Sequence, residues 1–205
     1  MTRKLSNGRE YRSMTLQVRT AGEESMIVEG YATTFSQPYL LYEDRGFKLL
    51  EQVDPHAFDE CDMTDVIMQY NHEGRVFARS RNKTLEVQPD EKGLYIKADL
   101  SGTEEGRKLY QEIAGGYTDR MSFGFVVGED RREYTEDREA GTVTCVRTLT
   151  RIRKLYDVSA VSIPANDMTS ISARRLGDGV IEQLKAERLV REKKRKLNLL
   201  LEVSK

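Results

Sequence analysis

The sequence predicts a mainly β fold with flanking helices, in which about seven short strands form an antiparallel barrel and a C-terminal helix follows. Three observations predict this fold. Runs of β-branched and aromatic residues recur along the chain, Gly and Pro punctuate these runs, and one well-marked helix signal lies between them. The predicted strands do not alternate regularly with helices, so a doubly wound parallel sheet is not expected.

The first predicted strands follow a polar start of the chain. Residues 1–13 are polar and basic, and we expect them to form a flexible leader. Residues 14–18 and the run SMIVEGYATTF predict strands, with Gly30 interrupting the second. The run FKLLEQVDPHAF predicts a strand that ends near Asp54, because Pro55 can open a short helical turn. The next apolar run, DVIMQYN, also has the length of a strand.

A hairpin and a helix are predicted next. In the run KTLEVQPDEKGLYIKADL, apolar residues alternate on both sides of the turn PDEKG, which is the pattern of two antiparallel strands. The following segment predicts a helix, because Thr103 can act as its N-cap and the pair Gly115 and Gly116 can end it. Leu109 and Ile113 give this helix a single apolar face.

Strand signals return after this helix and stop before a charged C-terminal segment. The run RMSFGFVVGED predicts a strand, and residues 132–165 predict a polar hairpin with one or two further strands. The predicted β-barrel domain therefore covers residues 14–176. Residues 177–205 predict a helical extension that begins at a Gly-rich hinge. Its apolar face is too narrow for a core helix, so we expect it to pack on a partner, and a solvated helix is the alternative.

Composition limits the classes of function. The chain has 205 residues, with 33 Lys and Arg against 34 Asp and Glu, and its net charge of −1 provides no overall field for nucleic acid or an anionic membrane. The two cysteines form no disulfide framework and have no zinc-ligand spacing. No run approaches the ~20 apolar residues of a membrane span, and the N-terminus lacks the apolar segment of a secretory signal. We therefore expect an intracellular protein.

One serine and two histidines are the first candidates for chemistry. Ser122 lies between Met121 and Phe123 in a predicted strand, and a serine hydroxyl needs a base before it can attack a carbonyl. The chain has 2 histidines. His72 ends an apolar run, where its side chain can emerge from a barrel wall. His56 lies at an expected turn, with nothing nearby that needs a base.

Asp157 is the candidate for the group that orients the imidazole. An acid within the strand-like run RKLYDVSAVSIPAN is disfavoured unless it has a partner or a purpose. A carboxylate on a neighbouring strand would hold the histidine and stabilise its charged form. Each candidate also has an ordinary structural interpretation: Ser122 as a small polar strand residue, His72 as a strand-end histidine, and Asp157 as an edge or bulge residue. The residues alone do not establish that the three side chains meet.

Six segments occur in a linked order over about residues 25–175. They are EGYATTF, EQVDPHAF, VIMQYNHEG, KTLEVQPDEKGLYIKADL, IAGGYTDRMSFGFVV and LYDVSAVSIPAN. In this order and spacing the chain resembles the tailed-phage prohead serine protease family, which is related to the herpesvirus assemblins. The resemblance implies an assemblin-like β-barrel with flanking helices. It also implies that His72 is the base, Ser122 the nucleophile and Asp157 the acidic third residue, with no metal and no cofactor.

The resemblance further implies a function and a setting. It implies a serine endopeptidase that cleaves segments of scaffold and major capsid protein, and also itself, through an acyl-enzyme. The expected place is the interior of the immature capsid in the host bacterial cytoplasm. Self-association is a further expectation, whereas neither nucleic acid nor membrane is expected as a partner. His56 occupies a PGAF-like position and is not expected to serve as the second histidine of the assemblins.

Alternative functions remain open from the sequence. A non-catalytic β-barrel capsid assembly factor would keep the fold and tolerate Ser122→Ala. A nucleic-acid contact through the basic run at residues 191–196 is weaker, because Glu192 dilutes the run and no aromatic residue interleaves it. Gly124, near the serine, has two interpretations of equal standing. It either admits a closely approaching substrate strand or is a simple packing glycine.

Overall fold

The computed structural model describes residues 9–15, 19–20, 25–44, 46–137 and 139–162, together with residues 186, 189–190, 193–195 and 197. Eleven strands and one helix with defined bounds lie in these residues. They are β1 Glu10–Thr15, β2 Arg19–Thr20, β3 Ile27–Thr34, β4 Tyr39–Asp44, β5 Phe47–Val53, β6 Ile67–Tyr70, β7 Glu73–Arg79, β8 Leu85–Pro89, β9 Gly93–Asp99, α1 Glu104–Ala114, β10 Arg120–Asp137 and β11 Thr142–Val161.

The strands form two sheets. A seven-stranded sheet has the order β1-β10-β11-β5-β4, with β6 pairing with β11 and β7 pairing with β6, and a four-stranded sheet has the order β2-β3-β9-β8. The predicted mainly β class is confirmed, and most pairings are antiparallel. The pairings of β11 with β5 and with β6 are parallel. The described strands also outnumber the roughly seven that the sequence predicted, because short two- to seven-residue strands carry weak local signals.

The hydrophobic core lies between the two sheets. It combines residues of the smaller sheet, such as Ile96, with residues of the larger sheet, such as Phe123 and Val158. Helix α1 adds Leu109 and Ile113 to this core, as its single apolar face predicted. Along β5 and most of β9, buried positions alternate with partly buried or exposed ones, which is the two-residue period of a strand with one face in the core.

The predicted ends of α1 are confirmed. The Thr103 hydroxyl accepts a hydrogen bond from the Gly106 backbone N–H at 2.9 Å, which satisfies one of the unpaired amide groups of the first turn. Gly115 caps the C-terminus, and Gly116 follows with a φ of 74°, a conformation that glycine adopts without strain. Local sequence therefore determines where this helix begins and ends.

Strands β10 and β11 form a long hairpin that carries the centre of the larger sheet. They are 18 and 20 residues long. The first part of β10 is buried, whereas its distal part is mostly exposed. The register between the two strands shifts beside Gly124 and again around residues 126–130. Such irregularities bend a strand and redirect its side chains, and one of them lies next to the candidate site.

The N-terminal boundary of the domain differs from the prediction. Residues 10–13, which were assigned to the flexible leader, belong to β1 and pair with β10. This part of the prediction is wrong, because the pairing partner lies more than a hundred residues away and leaves no local signal. Of the strand predicted at residues 14–18, the first two residues are in β1, and residues 16–18 lie outside the described residues.

The predicted C-terminal extension at 177–205 is described only in part. Residues 186, 189–190, 193–195 and 197 are helical and exposed, and the rest of the extension lies outside the described residues, as does the predicted end of the last strand at residue 164. Arg195 forms an ion pair with Glu136 at 3.3 Å. Within the part of the chain that the structure describes, no helix has the length and apolar character needed to cross a bilayer.

Candidate active site

His72 lies in the tight turn that joins β6 to β7. Strand β6 runs parallel to β11 and reverses at Asn71 and His72, so that Tyr70 pairs with Glu73. The two turn residues have φ angles of 51° and 59°. Positive φ at both central positions is typical of two-residue hairpin turns. Asparagine tolerates this conformation, but for histidine it costs roughly 1–2 kcal/mol, so other interactions must hold the imidazole here.

Hydrogen bonds to the end of β11 hold this turn. The Asn71 backbone N–H donates to the Ala160 carbonyl oxygen at 2.9 Å. The Asn71 side-chain Oδ1 accepts the Ser162 backbone N–H at 3.1 Å. Both bonds join the turn to the strand that carries Asp157. The position of the imidazole relative to that carboxylate is therefore set by the backbone of β11.

Ser122 and Asp157 lie on one face of the β10–β11 pair. Ser122 is directly opposite Ser159, and Gly124 is directly opposite Asp157. Side chains two residues apart on a strand share a face, and so do directly opposed residues on paired strands. The serine and the aspartate therefore face the same side of the sheet, on two rigid elements.

The structure brings the three predicted site residues into contact. His72 Nε2 lies 2.6 Å from Ser122 Oγ, and His72 Nδ1 lies 2.5 Å from Asp157 Oδ1. In the neutral imidazole, the Nδ1–H group donates to the carboxylate and Nε2 accepts the proton of the serine hydroxyl. This is the relation of nucleophile, base and orienting acid that serine proteases of unrelated folds share.

The carboxylate of Asp157 is buried and held by further contacts. Asp157 is 3% exposed, and its Oδ1 also accepts the Ser159 hydroxyl at 2.8 Å. Its Oδ2 occupies the space beside Gly124, where an added Cβ would lie 2.2 Å from Oδ2 and 2.6 Å from Cε1 of Tyr11. Gly124 is therefore a packing glycine for this carboxylate. Of its two interpretations, the structure supports this one.

Strand β1 covers the candidate site. It pairs with the edge of β10, with Ser13 opposite Ser122 and Tyr11 opposite Gly124. The ring of Tyr11 packs against the imidazole of His72 with 4.4 Å between centroids. The carbonyl oxygen of Arg12 lies 2.8 Å from Ser122 Oγ. Consequently the serine is fully buried.

The second histidine lies apart from this arrangement. His56 is exposed, and its Nδ1 hydrogen-bonds Asp59 at 3.0 Å. Sequence reasoning missed Ser159, although its position two residues after Asp157 on a strand placed it on the same face. It also missed Tyr11 and Arg12, for which the polar N-terminal segment contained no signal. Among the described residues, no group of three or more His, Cys, Asp or Glu is arranged to hold a metal ion.

Comparisons with known proteins agree with the resemblance noted from the sequence. A family model described as caudovirus prohead serine protease matches residues 14–180. The prohead protease of Enterobacteria phage HK97 is 28% identical over 158 residues, which are 75% of this chain and 62% of the length of that relative. No solved structure matches the chain significantly. Because the family model covers well over half of its length, the chain belongs to the caudovirus prohead serine protease family.

Proposed function

We propose that the protein is a serine endopeptidase that acts through His72, Ser122 and Asp157. The observation that carries this proposal is the pair of hydrogen bonds made by the two nitrogens of one imidazole, to Ser122 Oγ at 2.6 Å and to Asp157 Oδ1 at 2.5 Å. Nucleophile and base at this distance, with the base oriented by a third group, is the arrangement that activates a serine. Family membership supports the same activity.

In the proposed mechanism, His72 accepts the hydroxyl proton as Ser122 Oγ attacks the scissile carbonyl carbon. The amide C–N bond then breaks, and His72 gives the proton to the leaving amine. Water hydrolyses the resulting ester with His72 again acting as base, which restores the serine. Asp157 holds the imidazole tautomer and stabilises the imidazolium. An oxyanion hole would add about 3–4 kcal/mol per donor, and we assign no residues to it.

The proposed substrates are capsid and scaffold segments and the protease itself. The relative in phage HK97 is named a prohead protease, and this chain spans less than two thirds of its length. By extension we place the activity inside the immature capsid, in the host cytoplasm. Enclosure would raise the effective concentration of enzyme and substrate only after assembly, which supplies a means of control.

The C-terminal extension, residues 177–205, is proposed to dock the protease on scaffold or shell, and its removal by self-cleavage is the alternative. Its described residues are helical and exposed, as a docking segment would be. Deleting residues 177–205 should lower the amount of protease that is incorporated into proheads while leaving cleavage of a free substrate unchanged. Unchanged incorporation would refute the docking role.

Co-expression with the cognate capsid protein tests the catalytic proposal. The wild type should yield processed capsid protein by mass spectrometry, whereas Ser122→Ala and His72→Ala should not. A His56→Ala variant is the matched control, because His56 is exposed and hydrogen-bonds Asp59 rather than a residue of the candidate site, so processing should be unchanged. Normal processing and maturation with Ser122→Ala would instead favour the non-catalytic assembly factor.

A further inference from the structure

Strand β1 enters the candidate site as an extended peptide. It lies antiparallel on the edge of β10, the strand that carries the nucleophile, and the register places residue 13 opposite Ser122. Addition of an extended segment to a free sheet edge is a general mode of peptide recognition, in which backbone bonds hold the peptide and pockets select alternate side chains. The backbone of β1 thus occupies the place that a substrate strand would need.

The carbonyl group of Arg12 faces the nucleophile. Its oxygen is 2.8 Å from Ser122 Oγ, while His72 Nε2 is 2.6 Å from the same atom. A hydroxyl has one proton, so it can donate either to the base or to this carbonyl, and not to both. While β1 is in place, the carbonyl oxygen of Arg12 therefore competes with His72 Nε2 for the hydroxyl proton, and the carbonyl group in contact with the serine is the one that precedes Ser13.

The side chain of Arg12 fills a buried acidic pocket on the other face of the strand. Its guanidinium donates from Nε to Glu51 Oε1 at 2.5 Å and from Nη2 to Glu51 Oε2 at 3.0 Å. Both side chains are at most 2% exposed. The ring of Phe125 lies 5.6 Å from the guanidinium carbon. A paired, two-bond contact of this kind matches arginine geometry and suits lysine less well.

Glu10 of β1 also accepts a hydrogen bond from Arg12 Nη2, and residues outside β1 supply the rest of the pocket. Glu51 also accepts the Tyr39 hydroxyl at 2.6 Å and Arg147 Nη1 at 2.7 Å. Arg147 in turn donates to Asp130 at 2.8 Å and to Glu10 of β1 at 2.9 Å, so three carboxylates share its charge, and two of them remain without β1. If β1 left the cleft, Glu51 would lose its two-bond cationic partner. A buried carboxylate in that state strongly favours a new cation.

We propose that β1 occupies the substrate-binding cleft, and that Glu51 is the specificity-determining residue that selects arginine, and less strongly lysine, as the residue whose carbonyl is attacked. This inference rests on the proposed function. Substrates enter in the position of β1, with the basic side chain on Glu51, and the bond after that residue is cleaved. By the same geometry, the bond between Arg12 and Ser13 is a site of self-cleavage, and an uncut β1 keeps the enzyme latent.

The deciding experiment maps cleavage sites in the full-length protease co-expressed with its capsid protein, with Ser122→Ala as the catalytic control. Ser122-dependent sites should follow Arg or Lys, and a new protease N-terminus at Ser13 would add support. Ser122-dependent sites that follow other residues would overturn the inference while leaving the proposed function intact. Processing that persists in the Ser122→Ala variant would instead overturn the proposed function.

A series of peptides measures how strongly the enzyme prefers arginine at the residue whose carbonyl is attacked. Peptides with the sequence of residues 10–18, in which Arg12 is the single basic residue, carry Arg, Lys, Gln or Glu at that position, and cleavage after it is followed by mass spectrometry. Loss of a buried charge partner predicts a fall in kcat/KM on the order of 100-fold for Gln relative to Arg, with Lys between them. Equal cleavage of all four peptides would overturn the inference.

Substitutions at Glu51 test whether this residue sets the preference for arginine. Glu51→Gln should reduce the Arg-over-Gln preference, and Glu51→Asp should retain part of it. Glu43→Gln is the matched control, because this carboxylate lies on neighbouring β4 and is 44% exposed. If Glu51→Gln fails to fold, the wild-type site map and the peptide series still decide the question. An unchanged preference in a folded Glu51→Gln protein would contradict the role of Glu51.

Discussion

Two polar clusters lie on opposite faces of the same pair of strands, β1 and β10. On one face, His72, Ser122 and Asp157 form the candidate active site, and none of the three belongs to β1. On the other face, Arg12 and Glu10 of β1 form ion pairs with Glu51 of β5 and Arg147 of β11. Removing β1 would leave the His72, Ser122 and Asp157 cluster complete, whereas the other cluster would lose the charges of Arg12 and Glu10. We therefore treat the first cluster as the proposed catalytic site, and the second as the contact that holds β1 in the cleft.

The two clusters also differ in how they hold charge. Burial alone would lower the pKa of Arg12, but the charges of Glu51 and Glu10 outweigh it and raise that pKa well above its ordinary value. Burial alone would likewise raise the pKa of Glu10, but Arg12 and Arg147 lower it to about 2. Burial and the charge of Glu51 raise the pKa of Tyr39 well above its ordinary value, so it stays a hydrogen-bond donor. Ion pairs therefore hold β1 on the sheet, and the loss of any one charged partner should weaken them.

The largest expected effect is on the active-site face. Ser122→Ala should reduce kcat by about 10⁶-fold, because a triad without its nucleophile loses covalent catalysis altogether. Capsid-protein processing measured by mass spectrometry checks this, with exposed Ser101→Ala as the control. Attachment of β1 should persist in the variant, since the pocket at Glu51 is untouched. Processing at near wild-type rates would mean that His72, Ser122 and Asp157 are not the catalytic residues.

A smaller loss is expected for the orienting acid. Asp157→Asn should lower kcat by about 10⁴-fold, because an amide favours the wrong imidazole tautomer and does not stabilise the imidazolium. Single-turnover cleavage of an arginine peptide measures this loss. Ser159→Ala, which removes one hydrogen bond to the same carboxylate oxygen, should cost far less. Retention of full activity in Asp157→Asn would show that another group orients His72.

A substitution on the face that holds Arg12 should lower the stability of β1 and open the cleft, while leaving His72, Ser122 and Asp157 in place. Arg12→Ala leaves Glu51 without its two-bond partner, and breaking one side of a buried pair costs about 3–5 kcal/mol. Hydrogen exchange of the β1 amides should accelerate, and cleavage of an added peptide should rise because the cleft opens. Exposed Arg81→Ala is the control. If β1 is released and peptide cleavage becomes slower, we would conclude that the active enzyme needs β1 in place.

Acid should weaken the same attachment. The pKa of Glu10 is about 2 in the folded protein against an ordinary value of 4.5. Its stabilisation is therefore fully present above pH 4.5 and is lost as pH falls towards 2, amounting to at most about 3 kcal/mol. Arg12 of β1 and Arg147 of β11 are the cations that face it. The hydrogen-exchange rate of the β1 amides should rise, beyond its intrinsic pH dependence, as pH falls from 4.5 towards 2. In Glu10→Gln this additional rise should be smaller. An equally steep dependence in Glu10→Gln would assign it to other carboxylates.

The smallest effect is expected at Gly124, where the candidate active site contacts β1. Gly124→Ala would place a Cβ 2.2 Å from Asp157 Oδ2 and 2.6 Å from Tyr11 Cε1. Overpacking of this kind costs about 1–3 kcal/mol. Both the melting temperature and kcat should fall, because the carboxylate and β1 must each shift. Gly102→Ala is the matched control, since nothing lies within 4 Å of an added Cβ there. Unchanged kcat would show that Asp157 tolerates the displacement.

Short-range patterns were enough to predict the secondary structure that depends on neighbouring residues. Alternation in the run of β8 and β9 predicted their hairpin, and Thr103 and Gly115 predicted the ends of α1. The residue types at 72, 122 and 157 were predicted as a set once the linked segments resembled a family. Their contact was not, because a strand pattern carries no record of which distant strand lies beside it.

Contacts between residues far apart in the sequence determined the structure of both faces. The polar run at residues 10–13 resembles a loose leader when read alone, yet β10 offers it a free edge and Glu51 offers Arg12 a buried counter-charge. Gly124 likewise has an ambiguous role until the carboxylate of Asp157 occupies the space beside it. Propensity acts over a few residues, whereas the burial of a charge is favourable only when its partner is already in place. That partner comes from another part of the chain, so the folded arrangement alone reveals it.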